Sequence, residues 1–418
     1  MFLGIDFGTS GARGNAITES GQLLYEVKAT YDREQSASPE IWKRTLGDLI
    51  QEVPSGIRQQ LQAISINGTS GTVFLCDRTG TPCSEVLLYN DDRGREYLGS
   101  VTAIAPTNSI VISATSSLVK LAWLAAQTDD ARAQYFCHQA DWLGFLLHGQ
   151  LGISDYHNAL KVGFDVEALQ YPAWLKAHPQ AHWLPRVLAP GTVVSQIRPD
   201  VAEAGQINPA CRIATGTTDS IAAFLASGAQ NPGDAVTSLG STLVIKLLSR
   251  KRLEEPQYGI YSHRLGDLWL TGGASNTGGA VLQNFFTPEQ INQLCARINP
   301  NILCDLDYYP LLKPGERFPL SAPLLPPRLT PRPREDSAFL YGLLSGIARI
   351  EAQGYQRLKE LGATPVGRIL TAGGGATNTT WQKIRAQYLP LFPEISTQMQ
   401  AAYGTALLAK SSLKNSSK

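Results

Sequence analysis

Short apolar runs that end in glycine, serine or threonine recur along the chain, separated by stretches of helical periodicity. The first, Phe2 to Ile5, reads as a buried strand that turns at Gly8 and resumes as Gly14 to Ile17, a β-hairpin. Leu23 to Val27 adds a third strand. Ser38-Pro39-Glu40 predicts a helix start, with Ser38 as N-cap and Pro39 at the first helical position. Its apolar stripe is Ile41, Trp42, Thr45, Leu46, Leu49 and Ile50. Leu61 to Asn67 is a strand that ends in Gly68-Thr69-Ser70-Gly71-Thr72 and leads into Val73 to Asp77. A further strand is expected at Leu87-Leu88, running into Asn90-Asp91-Asp92-Arg93, and residues 100–150 read as helical.

In the second half, Cys211 to Phe224 reads as a strand ending at Gly216 and a helix opening at Asp219. Thr237 to Thr242 repeats the order strand, glycine, two hydroxyl residues, and Leu243 to Ile245 completes a second hairpin. Thr271 to Ala280 carries glycines 272, 273, 278 and 279 ahead of a helix. Lys313 to Arg334 is proline-rich and reads as an ordered surface loop, and Ser337 to Leu358 as a long amphipathic helix. Arg368 to Ala372 is a strand ending in Gly373-Gly374-Gly375 before another helix. A helix of small and apolar residues from Gln400 and a frayed polar tail close the chain. Strands alternating with helices predict an α/β protein, and one hairpin in each half suggests a duplication with a boundary near residues 225–230.

Bulk properties narrow the classes. A length of 418 residues, 43% hydrophobic and 17% charged, describes a globular protein of two or three domains. The net charge of +1 gives no reason to expect nucleic acid or an anionic membrane as partner. No apolar run is long enough to span a bilayer, and no leader pattern precedes the first strand, so a cytoplasmic location is expected. The six cysteines form no C-x-x-C pair and read as buried thiols in a reducing compartment. His138, His148 and His157 share no ligand spacing and are read as structural.

The chemistry gathers at the loops. The turn Gly8-Thr9-Ser10 offers backbone N–H groups and hydroxyls to an anion, and Asp6 beside it suits a Mg²⁺ ion or its waters; ordinary hairpin residues are the alternative. Gly240 and Ser241 repeat that turn, and a triphosphate clamped by both hairpins would be an ATP site. Ser70 is either a ligand contact or a plain turn serine. Asp91 and Arg93 are either a solvated ion pair or a polyol clamp. Asp219 is either a helix cap or the base that deprotonates an acceptor hydroxyl. Gly273 lies in a stretch that either lines the nucleotide or packs closely against a sheet, Gly373 and Gly374 strip side chains so that a flat ligand can lie against backbone, Asn378 offers a hydrogen bond to base or ribose, and Trp381 either stacks on adenine or packs in the core.

In order and spacing, Asp6-Phe7-Gly8-Thr9-Ser10, Asn90-Asp91-Asp92-Arg93, Gly216-Thr217-Thr218-Asp219, Ser238-Leu239-Gly240-Ser241-Thr242, Gly315-Glu316-Arg317 and Gly373-Gly374-Gly375-Ala376 with Trp381 resemble the FGGY carbohydrate kinases of the actin-like ATPase superfamily. The resemblance implies two ribonuclease-H-like domains around a central cleft. Residues 1–226 would bind sugar and residues 227–399 ATP, with the last helix, about 400–418, packing back on the first domain. It implies Asp219 as catalytic base, Asp6 near Mg²⁺ and phosphate, and Asp91 and Arg93 at the substrate. Where xylulose kinases of the family carry Gln-Met-His-Gly, this chain reads Thr69-Ser70-Gly71-Thr72. That departure resembles the cyanobacterial and plant xylulose-kinase-like branch associated with D-ribulose, in which Ser10, Gly11, Ala12, Arg13 and Ser70 would face the sugar. The expected activity is ATP- and Mg²⁺-dependent phosphorylation of D-ribulose, with D-xylulose or another pentulose or polyol as alternative. An actin-like, ATP-driven conformational or sugar-sensing protein is the reading from another class. The oligomeric state is left open.

Overall fold

The computed structural model describes residues 1–129 and 131–415. The chain divides into two compact units, Met1–Ala226 with the segment from Gln400, and Ser227–Met399.

The first unit contains strands β1 (Phe2–Phe7), β2 (Gly11–Ile17), β3 (Leu23–Thr30), β4 (Ala63–Gly68), β5 (Val73–Cys76), β6 (Tyr135–His138), β7 (Ile153–Asp155), β8 (Arg186–Leu188), β9 (Val193–Gln196) and β10 (Arg212–Ala214). Its main sheet has the order β3-β2-β1-β4-β10-β9. The β1–β2 hairpin and β3 are antiparallel, whereas β1, β4 and β10 run parallel. Every residue of β4 is buried, as a parallel strand covered on both faces requires. The helix Pro39–Glu52 starts where the sequence predicts, with Ser38 Oγ accepting from Ile41 N, and buries Trp42, Thr45, Leu46, Leu49 and Ile50. Trp42, Phe74 and Trp142 form an aromatic triangle with centroids 5.8–6.5 Å apart. On the sheet's other side lies the final helix, Ala401–Asn415. A Cβ at Gly4 would stand 2.0 Å from Ala406 N, so glycine is what lets β1 touch that helix.

The second unit contains β11 (Asp234–Leu239), β12 (Leu243–Ser249), β13 (Tyr261–Leu265), β14 (Leu268–Ala274), β15 (Arg368–Ala372) and β16 (Glu394–Ile395). Its sheet runs β13-β14-β12-β11-β15-β16, again a hairpin followed by parallel strands. The 25-residue helix Asp336–Glu360 supplies much of the core through Phe339, Leu343, Leu344 and Ile347. Beneath the hairpin, Arg385 donates to both carboxylate oxygens of buried Glu351 at 2.7 Å and to Thr371 Oγ1 at 2.8 Å.

Several expectations need correction. Leu87 makes only a bridge to Val73 and no strand follows. The Leu88 carbonyl is occupied by Lys120 Nζ at 2.6 Å and Asp91 N at 3.0 Å, so the chain turns. Residues 100–150 are not uniformly helical, because Tyr135–His138 pairs with β5 as β6. The proline-rich segment is not wholly at the surface: Phe318 and Glu316 are buried. The Glu316 carboxylate accepts from Ser275 Oγ (2.6 Å), Asn276 N (2.8 Å), Tyr309 OH (3.0 Å) and Arg317 N (2.8 Å), which ties the loop to the end of β14. The last helix continues through Asn415 with Ser412 buried, so the segment read as a frayed tail is largely helical; residues 416–418 lie outside the described residues.

Candidate active site

In the first unit, charge collects where the parallel strands end. Asp6 is the penultimate residue of β1, Ser70 follows β4, and Asp219 follows β10 and opens the helix Asp219–Ala226. In open α/β sheets this carboxyl end of the strands is where ligands bind. Burial pushes the Asp6 carboxyl up to about 7, the negative charge of Asp219 pushes the same way, and Arg13 and Asn67 oppose it. Among the described residues, Asp6 Oδ1 is buried and has no hydrogen-bond partner. Asn67, its neighbour across the parallel pair, donates to Thr405 of the final helix. Asp219 Oδ1 accepts from Ser220 N at 2.7 Å.

Two lysines that sequence reasoning passed over complete the face. Lys120 is fully buried, and its Nζ donates to the carbonyls of Gly71 (2.7 Å) and Leu88 (2.6 Å). This pins both the Ser70 loop and the approach to Asp91. Burial pulls its ammonium down to about 7, with Lys161 adding to the shift and Asp91 resisting it. Lys161 is held low chiefly by burial, while Asp219 works against that. Electrostatic influence links these groups in a row, each acting on the next: Asp91, Lys120, Lys161, Asp219, Asp6, Arg13. The lysines come from helical segments remote in sequence, Ser117–Gln127 and Leu160–Val162. Lys120 lay inside an amphipathic run and gave no separate signal.

Other expected residues are placed unevenly. Gly8 N donates to Gly11 O at 2.9 Å, which closes the turn and leaves Thr9 and Ser10 exposed at its tip. Gly11 opens β2, and Arg13 pairs with Asp6 across the hairpin. Ala12 is buried in the core between Phe7 and Ala29, so its methyl does not face a ligand. Arg93 Nε lies 3.0 Å from Asp91 Oδ2, its NH1 is 2.6 Å from Glu85 Oε2, and it rests on the Trp123 ring. The pair therefore holds itself, with Arg93 exposed and only Asp91 reaching the charged row.

The second unit presents backbone instead of charge. Gly240 and Ser241 form the β11–β12 turn. Gly279 N donates to Gly240 O at 2.8 Å and Ala280 N to Ser241 O at 3.1 Å. Gly278, at φ +145°, would place a Cβ 2.6 Å from Thr242 Cα, and Gly373, at φ +85°, one 2.7 Å from Leu239 C. Glycine alone permits these approaches. Gly374 is exposed, with open space beside it. Three assignments fail here. Gly273 lies inside β14 under the Phe318 ring, and Gly278-Gly279 take its place at the turn. Asn378 spends its amide as a helix cap: Oδ1 accepts from Trp381 N (2.9 Å) and Nδ2 reaches Cys295 Sγ (3.2 Å). Trp381 is buried beneath Gly375 in the core and is unavailable for stacking. A groove of about 800 Å³ in this unit, lined by Leu247, Tyr355, Pro365 and Tyr388 among others, includes none of these residues.

The profile of the FGGY family of carbohydrate kinases, N-terminal domain, matches residues 1–226. The chain belongs to the FGGY family. It is a carbohydrate kinase, a phosphotransferase with an alcohol group as acceptor, and such kinases use ATP. A xylulose kinase of Streptomyces rubiginosus is 26% identical over 450 residues, covering 98% of this chain and 88% of that protein. Solved structures share the two-domain, ribonuclease-H-like fold. A xylulose kinase from Rhodospirillum rubrum superposes with a TM-score of 0.83 at 20% identity, covering 98% of this chain and 89% of the other. A Plasmodium falciparum glycerol kinase with ADP gives 0.82 at 17% identity, covering 99% and 89%. At these identities the likeness is one of fold. No helix among the described residues is long and apolar enough to cross a membrane.

Proposed function

We propose that this FGGY kinase phosphorylates a ketopentose, D-ribulose, on its terminal hydroxyl with Mg-ATP as donor. The observation that carries the reading is the placement of Asp6 in β1, the Ser70 loop after β4 and Asp219 after β10, with the charge of Asp219 acting on both Asp6 and Lys161. Asp219 takes the proton of the attacking primary hydroxyl as the phosphoryl group arrives. The Lys161 ammonium favours the ionised form of that carboxylate and donates to sugar oxygens. Ser70 and the turn from Ser10 contribute further hydrogen bonds. The β11–β12 turn, with Gly373 and Gly374, cradles the nucleotide's phosphates through backbone N–H groups.

Asp6 suits a cation because its Oδ1 is a buried carboxylate oxygen without a partner among the described residues. No group of three or more His, Cys, Asp or Glu among the described residues is arranged to hold a metal. The fit is therefore to Mg²⁺ that keeps several waters and the phosphates as ligands. Asp6 would hold the waters of a Mg²⁺ ion, which would supply charge neutralisation at the phosphates.

D-Xylulose is the second reading, favoured by the name of the Streptomyces relative. The Thr69-Ser70-Gly71-Thr72 segment weighs for D-ribulose. The test is purified protein with Mg-ATP and a panel of pentuloses, pentoses and polyols, scored by ADP release and product identity. The reading requires D-ribulose to give the highest kcat/KM. A higher kcat/KM for D-xylulose or another polyol would overturn it.

A further inference from the structure

We propose that the buried chain Asp155–His157–Thr217 is a positioning device that sets the conformation of the loop carrying Asp219. The proposal rests on the reading of Asp219 as the base.

Asp155 ends β7 and caps the short helix Tyr156–Ala159. Its Oδ1 accepts from His157 N (2.8 Å) and Asn158 N (3.2 Å), and its Oδ2 from Asn158 Nδ2 (2.6 Å). That cap fixes His157, whose Nδ1 lies 2.7 Å from Thr217 Oγ1. Both side chains are buried. Thr217 stands two residues before Asp219. The next carbonyl, of Thr218, accepts from Ile221 N (3.1 Å) and Ala222 N (2.9 Å), starting the helix that Asp219 opens. Thr218 also bridges to Gly68 at the end of β4. Residue 217 is thus the last point at which a side chain anchors the loop before the base.

An apolar pair of the same shape would fill this space with little loss of stability. What the polar pair adds is direction: a short hydrogen bond admits one rotamer of Thr217 and one path into residue 219. Lys161 lies one turn beyond His157 on the same segment, in the electrostatic field of Asp219. Segment 155–162 therefore meets the base's loop through Thr217 and its charge through Lys161. A misplacement of about 1 Å in such a group lowers turnover on the order of 100-fold.

The test compares Thr217→Val, Thr217→Ser and His157→Asn in the full chain, by steady-state kinetics with D-ribulose and Mg-ATP and by amide hydrogen exchange over residues 217–222. Thr217→Val should lower kcat roughly 10- to 100-fold with both KM values within about twofold, and should speed exchange at residues 218–221 about tenfold. Thr217→Ser should restore both. Should Thr217→Val not fold, His157→Asn, which keeps a polar atom near Nδ1, carries the test with smaller changes of the same sign. Unchanged exchange, unchanged kcat, a loss confined to the sugar KM, or no rescue by serine would each overturn the proposal. If the wild type does not phosphorylate D-ribulose, the substrate reading is what fails. Exchange that speeds in Thr217→Val and recovers in Thr217→Ser would still support the tether, and unchanged exchange would still overturn it.

Discussion

Two sheets of similar plan, each a hairpin continued by parallel strands and the first closed by an antiparallel β9, carry contrasting surfaces at their candidate functional ends. In the first unit that end is a row of ionisable side chains, Asp6, Asp91, Lys120, Lys161 and Asp219. In the second it is bare main chain, with Gly278, Gly279 and Gly373 packed against the turn at Gly240. Under the proposed function, the difference is a division of labour between two like sheets. A sugar is uncharged and must give up a proton, so its side needs groups that titrate and donate. A triphosphate brings its own charge, so its side needs close N–H groups and no side chain in the way.

The comparison breaks first at Asp219. Asp219→Ala should lower turnover on the order of 100- to 10,000-fold while ATP still binds, read by single-turnover transfer and nucleotide titration. Undiminished turnover would remove Asp219 as base. Lys120→Met strikes the frame of the charged face. It takes the Lys120 donor from the Gly71 carbonyl and leaves the Leu88 carbonyl with Asp91 N, a cost of about 1–3 kcal/mol seen as a lower melting temperature and a raised sugar KM. Gly373→Ala strikes the glycine face alone. At φ +85° with backbone 2.7 Å from the new Cβ, it should cost about 1–3 kcal/mol and raise the ATP KM with little change for sugar.

The smallest effect sharpens the electrostatic half. The Asp6 carboxyl is raised to about 7 in the folded protein from 3.8. The folded state therefore holds a proton that the unfolded chain releases. Its contribution to stability is fully present below about pH 4 and is lost as pH rises to about 7. In metal-free protein, Asp6→Asn should melt at a higher temperature than wild type at pH 8, and the gap should close toward pH 4. A pH-independent gap would show that Asp6 is not held protonated.

What the sequence disclosed divides along similar lines. The two hairpins and the Ser38 cap were legible because they rest on local signals, an apolar run, a glycine, a hydroxyl before proline. Lys120 and Lys161 were not, because only tertiary packing brings their helices to the strand ends. Gly273 misled because glycines look alike in sequence: it makes room for Phe318, whereas Gly278 makes room for the turn. Trp381 misled because the glycine above it is filled by its own ring. Glu316 lay in a proline-rich stretch that reads as surface, but four donors within 3.0 Å draw it inside.

The most direct test is a crossed calorimetric titration of D-ribulose and of ATP into wild type, Asp219→Ala and Gly373→Ala. The account predicts that Asp219→Ala weakens D-ribulose about tenfold or more and spares ATP, while Gly373→Ala does the reverse. Loss of both ligands in either correctly folded variant, or a swapped pattern, would contradict it.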